Sequence, residues 1–450
     1  MKLLIIGAGP CGLGAAFHLL RLGHTDWSVY EQNGYVGGLS TSFCDEAGFT
    51  WDVGGHVLFS HYDYFDQAVE SALGGAYFTH MRESWIRVLD SWIPYPFQNN
   101  IRHLPSFALQ ECLSGLKTNK PVRVRPRHFG EWMEAVFGPG IVKYFMAPYN
   151  KKVWAVPLES MSKDWIGERV SVVDTDRIEK NISESKDDIS WGPNNRFKFP
   201  KRGGTGAIFK GIGHLFLDKI QLERRLEKVD LRKRELVFSD GNRASYEALI
   251  TTIPIDKFIH TCIDIPDDIQ DAAYNLVHNS GLIVGLGFSG KRIDPKCWMY
   301  FPEDNCPFYR VTNFHNYSPY NVPNGDSDKF FSFMCETSYS QHRHVDKRTI
   351  IDGTIAGLIA SGLISEQESK SIVSRYLIDI PYSYPVPTLG RDAALAIIQP
   401  FLESYNVFSR GRFGAWKYEV GNMDHSFMQG VEVVDRILSG KPESTINGRV

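Results

Sequence analysis

The chain opens Lys2-Leu3-Leu4-Ile5-Ile6-Gly7-Ala8-Gly9-Pro10-Cys11-Gly12, runs helix-like through residues 13–22, and reaches Trp27-Ser28-Val29-Tyr30-Glu31. An aliphatic run, a glycine turn, a helical stretch and a second strand ending in an acid make a βαβ unit. The G-x-G-x-x-G spacing has a physical reason at each glycine. Gly7 makes the tight turn, Gly9 lets backbone approach a pyrophosphate, and Gly12 lets the helix lie close on the strand. The pyrophosphate belongs at the helix N-terminus, where free N–H groups and the dipole favour an anion. Glu31 stands where a carboxylate accepts hydrogen bonds from an adenosine ribose, and its charge disfavours a 2′-phosphate. The expectation is a dinucleotide-binding domain.

A second glycine pair decides which dinucleotide. Gly37-Gly38-Leu39-Ser40 follows shortly after Glu31, and then comes Trp51-Asp52-Val53-Gly54-Gly55-His56. Bare backbone of this kind passes close to a ribityl chain and a diphosphate. The pattern resembles flavoproteins of the amine-oxidase and glutathione-reductase type, whereas a plain NAD dehydrogenase has no use for it. FAD is therefore expected as the tightly bound cofactor. Gly7, Gly9, Gly12, Glu31, Gly37, Gly38, Leu39, Ser40, Gly54 and Gly55 form its cradle. A late turn, Gly421-Asn422-Met423-Asp424 through Ser426, leads into a helix over residues 430–438 and offers further backbone N–H groups to the isoalloxazine ring.

With 450 residues the chain can form two or three domains with a sizeable core, and 43% hydrophobic with 22% charged residues suits a globular protein. A net charge of -3 argues against a nucleic-acid partner, because neutralising phosphates needs a basic face. Seven cysteines without a C-x-x-C pair imply neither a metal site nor a disulfide framework. No apolar run approaches the roughly 20 residues of a membrane span, and Met1-Lys2 runs directly into the first strand without a signal peptide. A cytoplasmic protein with no membrane partner is expected.

The expected fold class is α/β. A discontinuous Rossmann-like FAD-binding domain comprises 1–90, 203–257 and 385–450. Residues 101–190 form a helical insertion, with helices expected near 107–116, 129–137, 141–146 and 165–170. A β-sheet substrate domain comprises 91–100, 191–202 and 258–384. Residues 226–253 read as a β-meander turning at Asp240-Gly241. The run Ala248-Leu249-Ile250-Thr251-Thr252-Ile253 returns to the central sheet beside the first strand.

One flavin cradle serves many reactions, so function has to come from other residues. Arginines and aromatics recur together: Trp298-Met299-Tyr300, Tyr309-Arg310, Tyr317, Tyr384, and Arg412 with Trp416 and Tyr418. Arg169 follows Pro148-Tyr149-Asn150 and Val153-Trp154. Guanidinium forks bind phosphate oxygens bidentately, and aromatic faces stack on a base. The set suits a diphosphate attached to a stackable base.

Several long stretches resemble the UDP-galactopyranose mutases, the eukaryotic branch in particular. They are Gly54-Gly55-His56-Val57-Leu58-Phe59-Ser60-His61, Tyr95-Pro96-Phe97-Gln98-Asn99-Asn100, the stretch from Pro148 to Pro157, Trp191-Gly192-Pro193-Asn194, the stretch from Tyr300 to Arg310, and the stretch from Gly411 to Met428. They occur in the family's order over nearly the whole chain. Met423 departs from the pattern, standing where a glutamine is common. The chain is also shorter than its eukaryotic relatives, which leaves monomer and homo-oligomer both open.

The resemblance implies an isomerase that uses reduced FAD without net redox change. A flavin nitrogen attacks the anomeric carbon of UDP-galactose, UDP leaves, and the ring opens, recloses as a furanose and regains UDP. On this reading Arg169 and Arg310 neutralise the diphosphate, with Asn194, Tyr317, Tyr384 and Tyr418 supplying hydrogen bonds. Tyr95, Phe97, Gln98, Asn150, Trp154, Trp298 and Tyr300 hold uracil and ribose or line the cleft. His56 sits over the isoalloxazine, and Arg412 lies near flavin and sugar. His61, Arg82 and Ser84 receive NADPH or NADH as reductant. The rivals are a mutase of another UDP-sugar such as UDP-N-acetylgalactosamine, a flavin oxidase or desaturase with an apolar cage in place of the arginines, and a flavin-containing binding or redox-sensing module.

Overall fold

The computed structural model describes residues 1–118, 125–167, 173–189 and 195–448. β1 (Leu3–Ile6) is buried along its length, and the glycine turn, α1 (Pro10–Arg21) and β2 (Trp27–Tyr30) follow it. β1 and β2 pair in parallel, Leu3 opposite Trp27 and Ile6 opposite Tyr30. The strand Ala248–Thr251 flanks β1 on its other side, also in parallel, and Val407–Ser409 flanks that in turn. Ile220–Gln221 completes a five-stranded sheet beside β2. The apolar β1, buried on both faces, is what a covered parallel sheet requires, and the distant stretches 220–221, 248–251 and 407–409 assemble around it and β2.

α1 and the C-terminal helix Met423–Ser439 cross on one face of this sheet at two glycines. A Cβ on Gly14 would lie 2.2 Å from the Phe427 carbonyl oxygen, and one on Gly430 would lie 2.0 Å from that of Cys11. The C-terminal helix starts at Met423 and not near residue 430 as expected. Asn422 supplies an extended N-cap, and Asp424 in the first turn complements the dipole. The expected turn is thus confined to Gly421 and Asn422.

A second sheet has seven strands in the order Ile372–Pro385, His278–Ser289, Phe330–Tyr339, Arg310–Asn313, Trp298–Tyr300, Ser84–Val88, Ser91–Pro94. All neighbours are antiparallel except Trp298–Tyr300 beside Ser84–Val88. This sheet therefore reaches back to Ser84, inside the stretch 1–90 that the sequence assigns to the cofactor domain. The strand Ile372–Pro385 goes unassigned in the sequence reading because it is a half-exposed edge carrying Pro381. The ladder to His278–Ser289 shifts register there, between Asn279 and Gly281, which frees the proline from donating.

Ser106–Thr118, Phe129–Ile141 and Ala147–Trp154 are helices, the last two joined by a π-helical turn at Val142–Met146. Trp165 lies in a turn and not in the helix expected at 165–170, and residues 168–170 fall outside the described ones. The largest buried cluster lies between these helices and the seven-stranded sheet, with Phe97, Phe129, Phe137, Phe145 and Trp154 in it. The meander Leu226–Asp230, Glu235–Phe238, Arg243–Ser245 is antiparallel throughout.

Candidate active site

The cradle is built at the C-terminal end of β1. Gly7 has φ +99°, which L side chains rarely adopt, and a Cβ there would lie 2.2 Å from Thr252 Oγ1. A Cβ on Gly12 would lie 1.9 Å from the Gly7 carbonyl oxygen. Gly9 differs: its nearest neighbour to a Cβ is the Gly38 Cα at 3.9 Å. The space over Gly9 is open toward the second glycine pair, and Gly9 caps α1 without a side-chain bond. The two glycine turns are tied together where Gly37 N–H donates to the Ala8 carbonyl at 2.8 Å.

Glu31 is buried, and its carboxylate accepts from Ala8 N–H at 2.8 Å and from the Asn33 amide N–H and side-chain amide at 2.9 and 2.8 Å. It shapes the glycine turn first and leaves remaining lone pairs for a ribose. Thr41 Oγ1 beside Ser40, His56 Nδ1 and Thr312 Oγ1 beside Gly55 are buried with no protein partner. Their orphaned state, the open face of Gly9 and the uncapped N-terminus of α1 together fit FAD.

Gly54, at φ +102°, turns the chain into Gly55 and His56, whose N–H donates back to the Gly54 carbonyl at 2.9 Å. Burial, then the charge of Arg412, pushes the His56 imidazole down to about 4, so it is neutral at pH 7. Gly55 N–H donates to Glu336 Oε1 at 3.1 Å. Glu336, 2% exposed on the strand Phe330–Tyr339, is the acceptor around which this side of the site is built. Arg310 grips it bidentately, Nε to Oε1 at 2.6 Å and Nη2 to Oε2 at 2.7 Å, and Tyr309 O–H adds a donor at 2.9 Å. Burial works against both charges, yet the Arg310 guanidinium holds the Glu336 carboxyl below its ordinary range. The Arg310–Glu336 pair is formally neutral, and Arg310 Nη1 makes no bond to the carboxylate. The sequence reading missed Glu336. The signal was a lone acid within Phe330-Phe331-Ser332-Phe333-Met334-Cys335-Glu336, because a carboxylate in so apolar a strand demands a buried donor set.

Arg412 ties the turn before the C-terminal helix to the edge strand Ile372–Pro385: its Nη1 donates to the Gly421 carbonyl at 3.1 Å and its Nη2 to that of Ser383 at 3.1 Å. Its guanidinium lies 4.9 Å from the Tyr384 ring centre and 5.8 Å from that of Tyr418. Tyr384 and Tyr418 both contact Trp154, at 5.9 and 4.8 Å between ring centres. The Trp154 indole N–H donates to Asn150 Oδ1 at 3.2 Å, and the Asn150 amide donates to the Met146 carbonyl at 2.8 Å. Asn150 orients Trp154 from beneath.

A second aromatic group adjoins this one. Tyr300 lies 5.4 Å from Tyr95 and accepts from the Trp298 indole N–H at 2.7 Å. The Arg82 guanidinium stands 4.7 Å from the Tyr95 ring and 5.1 Å from that of Trp298, and its Nε donates to Ser84 Oγ at 2.8 Å. Gln98 is buried at the same loop. One expected cleft residue takes another place. Phe97 is fully buried and stacks on Phe145 at 4.9 Å, so it holds the Tyr95-to-Gln98 loop from the core side. Tyr317 is 1% exposed with its ring among Phe197, Phe199 and Phe314, and burial holds its hydroxyl well above the usual tyrosine range while the nearby Arg310 charge works against that. Both are flanked by large apolar rings, a burial that residue type alone does not signal.

His61 meets the C-terminal helix. Its Nδ1 lies 2.7 Å from Asp424 Oδ2, and His425 Nδ1 lies 3.0 Å from Asp424 Oδ1. Burial raises the Asp424 carboxyl, but the bonds from His425 and His61 outweigh it and hold the group well below the usual carboxylate range. Asp424 is thereby committed to two imidazoles, while Met423 and Ser426 share its helical turn beside Gly421 and Asn422. Ligand atoms of His61, Asp424 and His425 all lie within 4.8 Å of one another, near enough for a metal ion. Arg169 and Asn194 lie outside the described residues. Two surface cavities, of about 270 and 430 Å³, are lined by residues of neither aromatic group.

A family model for flavin-containing amine oxidoreductases matches residues 10–438. Among solved structures, that of a reduced UDP-galactopyranose mutase superposes with a TM-score of 0.96 at 44% identity, over 100% of this chain and 96% of that one. A putative protoporphyrinogen oxidase from Exiguobacterium sp. 255-15 has the same fold, with a TM-score of 0.73 at 14% identity over 98% and 99% of the two chains. A zeta-carotene desaturase of Capsicum annuum is 40% identical over 63 residues, 14% of this chain and 10% of that enzyme, so the chain spans only a tenth of this curated relative. The full-length match in both sequence and fold shows that the chain belongs to the flavin-containing amine oxidoreductase family and, within it, to the UDP-galactopyranose mutases.

Proposed function

We propose that the protein is a FAD-dependent isomerase interconverting UDP-galactopyranose and UDP-galactofuranose. The observation that carries this reading is the position of Arg310: bound to Glu336, it is tied through the same carboxylate to the loop that bears His56. A diphosphate grip and a flavin-face loop joined in one unit suit a reaction in which a nucleotide leaves and returns. An amine oxidase has no use for that grip.

When bound and reduced, FAD supplies an electron-rich nitrogen nucleophile for the anomeric carbon, with no net redox change. The chain's own part is positioning and charge. Arg310, and Arg169 by resemblance, bind the diphosphate oxygens as the bond to the sugar breaks, and hold UDP for its return. Tyr384 and Tyr418, oriented by Trp154 and Arg412, offer hydroxyls to phosphate or sugar. Tyr95, Trp298 and Tyr300 suit the uracil and ribose. His56, neutral at pH 7, keeps a ring nitrogen for hydrogen bonding and adds no second positive charge beside Arg412. Arg82, Ser84 and His61 are the proposed contacts for NADPH or NADH. Among the described residues no helix is long and apolar enough to cross a membrane.

The test is to incubate dithionite-reduced and oxidised protein with UDP-galactofuranose and separate the nucleotide sugars by chromatography. Pyranose should form with the reduced protein alone. Turnover by the oxidised protein, or by neither form, would count against the reading.

A further inference from the structure

Glu336 gathers donors from three sides of the site. Gly55 N–H comes from the His56 loop, the Arg310 fork from the neighbouring strand, and Tyr309 O–H from the residue before it. Tyr309 in turn lies 3.3 Å, oxygen to oxygen, from Tyr384, over which Arg412 is placed. The fit around the carboxylate is tight: a Cβ on Gly55 would stand 2.9 Å from Glu336 Oε1 and 3.5 Å from the Arg310 Cζ. A movement of the His56 loop and a rotation of Arg310 therefore draw on the same two oxygens. Four charge-assisted donors on one buried carboxylate fix it far more firmly than a single bond does.

We infer that Glu336 is a positioning residue that sets the Arg310 fork and the Gly54-Gly55-His56 loop in one register, so that a diphosphate seated on Arg310 is sensed at the flavin face. The inference rests on the mutase reading for the identity of that diphosphate. Glu336 touches no reacting atom. It holds the guanidinium edge that does.

Two variants separate position from charge. Glu336→Asp keeps the negative charge and withdraws it by one methylene. Glu336→Gln keeps the length and leaves Arg310 uncompensated. Both are purified with FAD bound, and three quantities are followed: UDP affinity, the flavin difference spectrum produced by UDP, and kcat of the dithionite-reduced protein. Both variants should retain FAD and bind UDP, yet lose at least tenfold in kcat and show a smaller difference spectrum per bound UDP, since loss of one well-placed charged hydrogen bond has about that effect. Wild-type kcat and an unchanged difference spectrum in Glu336→Asp would overturn the inference. So would loss of FAD together with early melting in both variants, which would make Glu336 a structural anchor only. If the wild-type protein itself neither binds UDP nor turns over, it is the mutase reading that fails.

Discussion

Replacing Arg310 by methionine strands Glu336, and the size of the effect follows from the surroundings. The carboxylate is 2% exposed and loses both bidentate bonds, keeping those from Tyr309 and Gly55. It can remain charged and unpaired, which costs about 3–5 kcal/mol for a broken buried pair. Or it can take up a proton, which at pH 7 costs about 3–4 kcal/mol at about 1.4 kcal/mol per unit. Either way Arg310→Met is expected to lose about 3 kcal/mol of stability at pH 7. The sign of the pH dependence follows as well. Without the guanidinium the folded-state value of Glu336 rises above its unfolded value, so the loss shrinks as pH falls toward the ordinary carboxylate range and is complete above the raised value. Adding Glu336→Gln removes the stranded charge and should restore most of the stability without restoring turnover, because the diphosphate still lacks the guanidinium N–H donors of Arg310. Chemical denaturation of the FAD-bound proteins at pH 5 and pH 8, with turnover measured beside it, checks both halves. A double variant as unstable as the single one, or one that turns over like wild type, would refute the reasoning.

Three further outcomes are expected. Gly9→Ala should leave the apoprotein as stable as wild type while FAD content collapses, since its Cβ has room within the protein but fills the approach to the pyrophosphate, whereas Gly12→Ala should lose both; normal flavin content in Gly9→Ala would place the cofactor elsewhere. Asp52 is fully buried among Ser42 and Thr205, and burial pushes its carboxyl up to about 7. Its folded value exceeds its unfolded one, so its contribution is complete below about pH 4 and is lost as pH rises through 7. Asp52→Asn should therefore flatten the decline in stability between pH 4 and 7; an unaltered slope would exclude Asp52 as its source. Arg82→Ala should slow flavin reduction by NADPH or NADH in stopped-flow absorbance at least tenfold while dithionite-reduced turnover falls much less, and the reverse pattern would assign Arg82 to the substrate.

The cradle was legible in the sequence because its constraints are local. Gly12 meets its steric condition within one βαβ unit, against the Gly7 carbonyl, Gly7 carries the positive φ of the turn, and the apolar runs of β1 and Ala248–Thr251 announce a parallel sheet. The rest depends on contacts between distant residues. Glu336 lies far from Gly55 in sequence, and only the folded chain lays the Gly54-Gly55 turn against the strand that carries Glu336. Phe97 reads as a cleft aromatic from its motif, but the helices from Phe129 onward cover it. The edge strand Ile372–Pro385 is half exposed and interrupted by a proline, so neither alternation nor an apolar run marks it.

The most direct measurement counts turnovers per reducing equivalent. Protein reduced once with dithionite under anaerobic conditions is given excess UDP-galactofuranose while the flavin spectrum and the nucleotide-sugar products are followed together. Many molecules of pyranose should form per flavin with the spectrum still that of reduced FAD. Flavin reoxidised in step with substrate consumed would contradict an isomerase and point to an oxidase on the same fold.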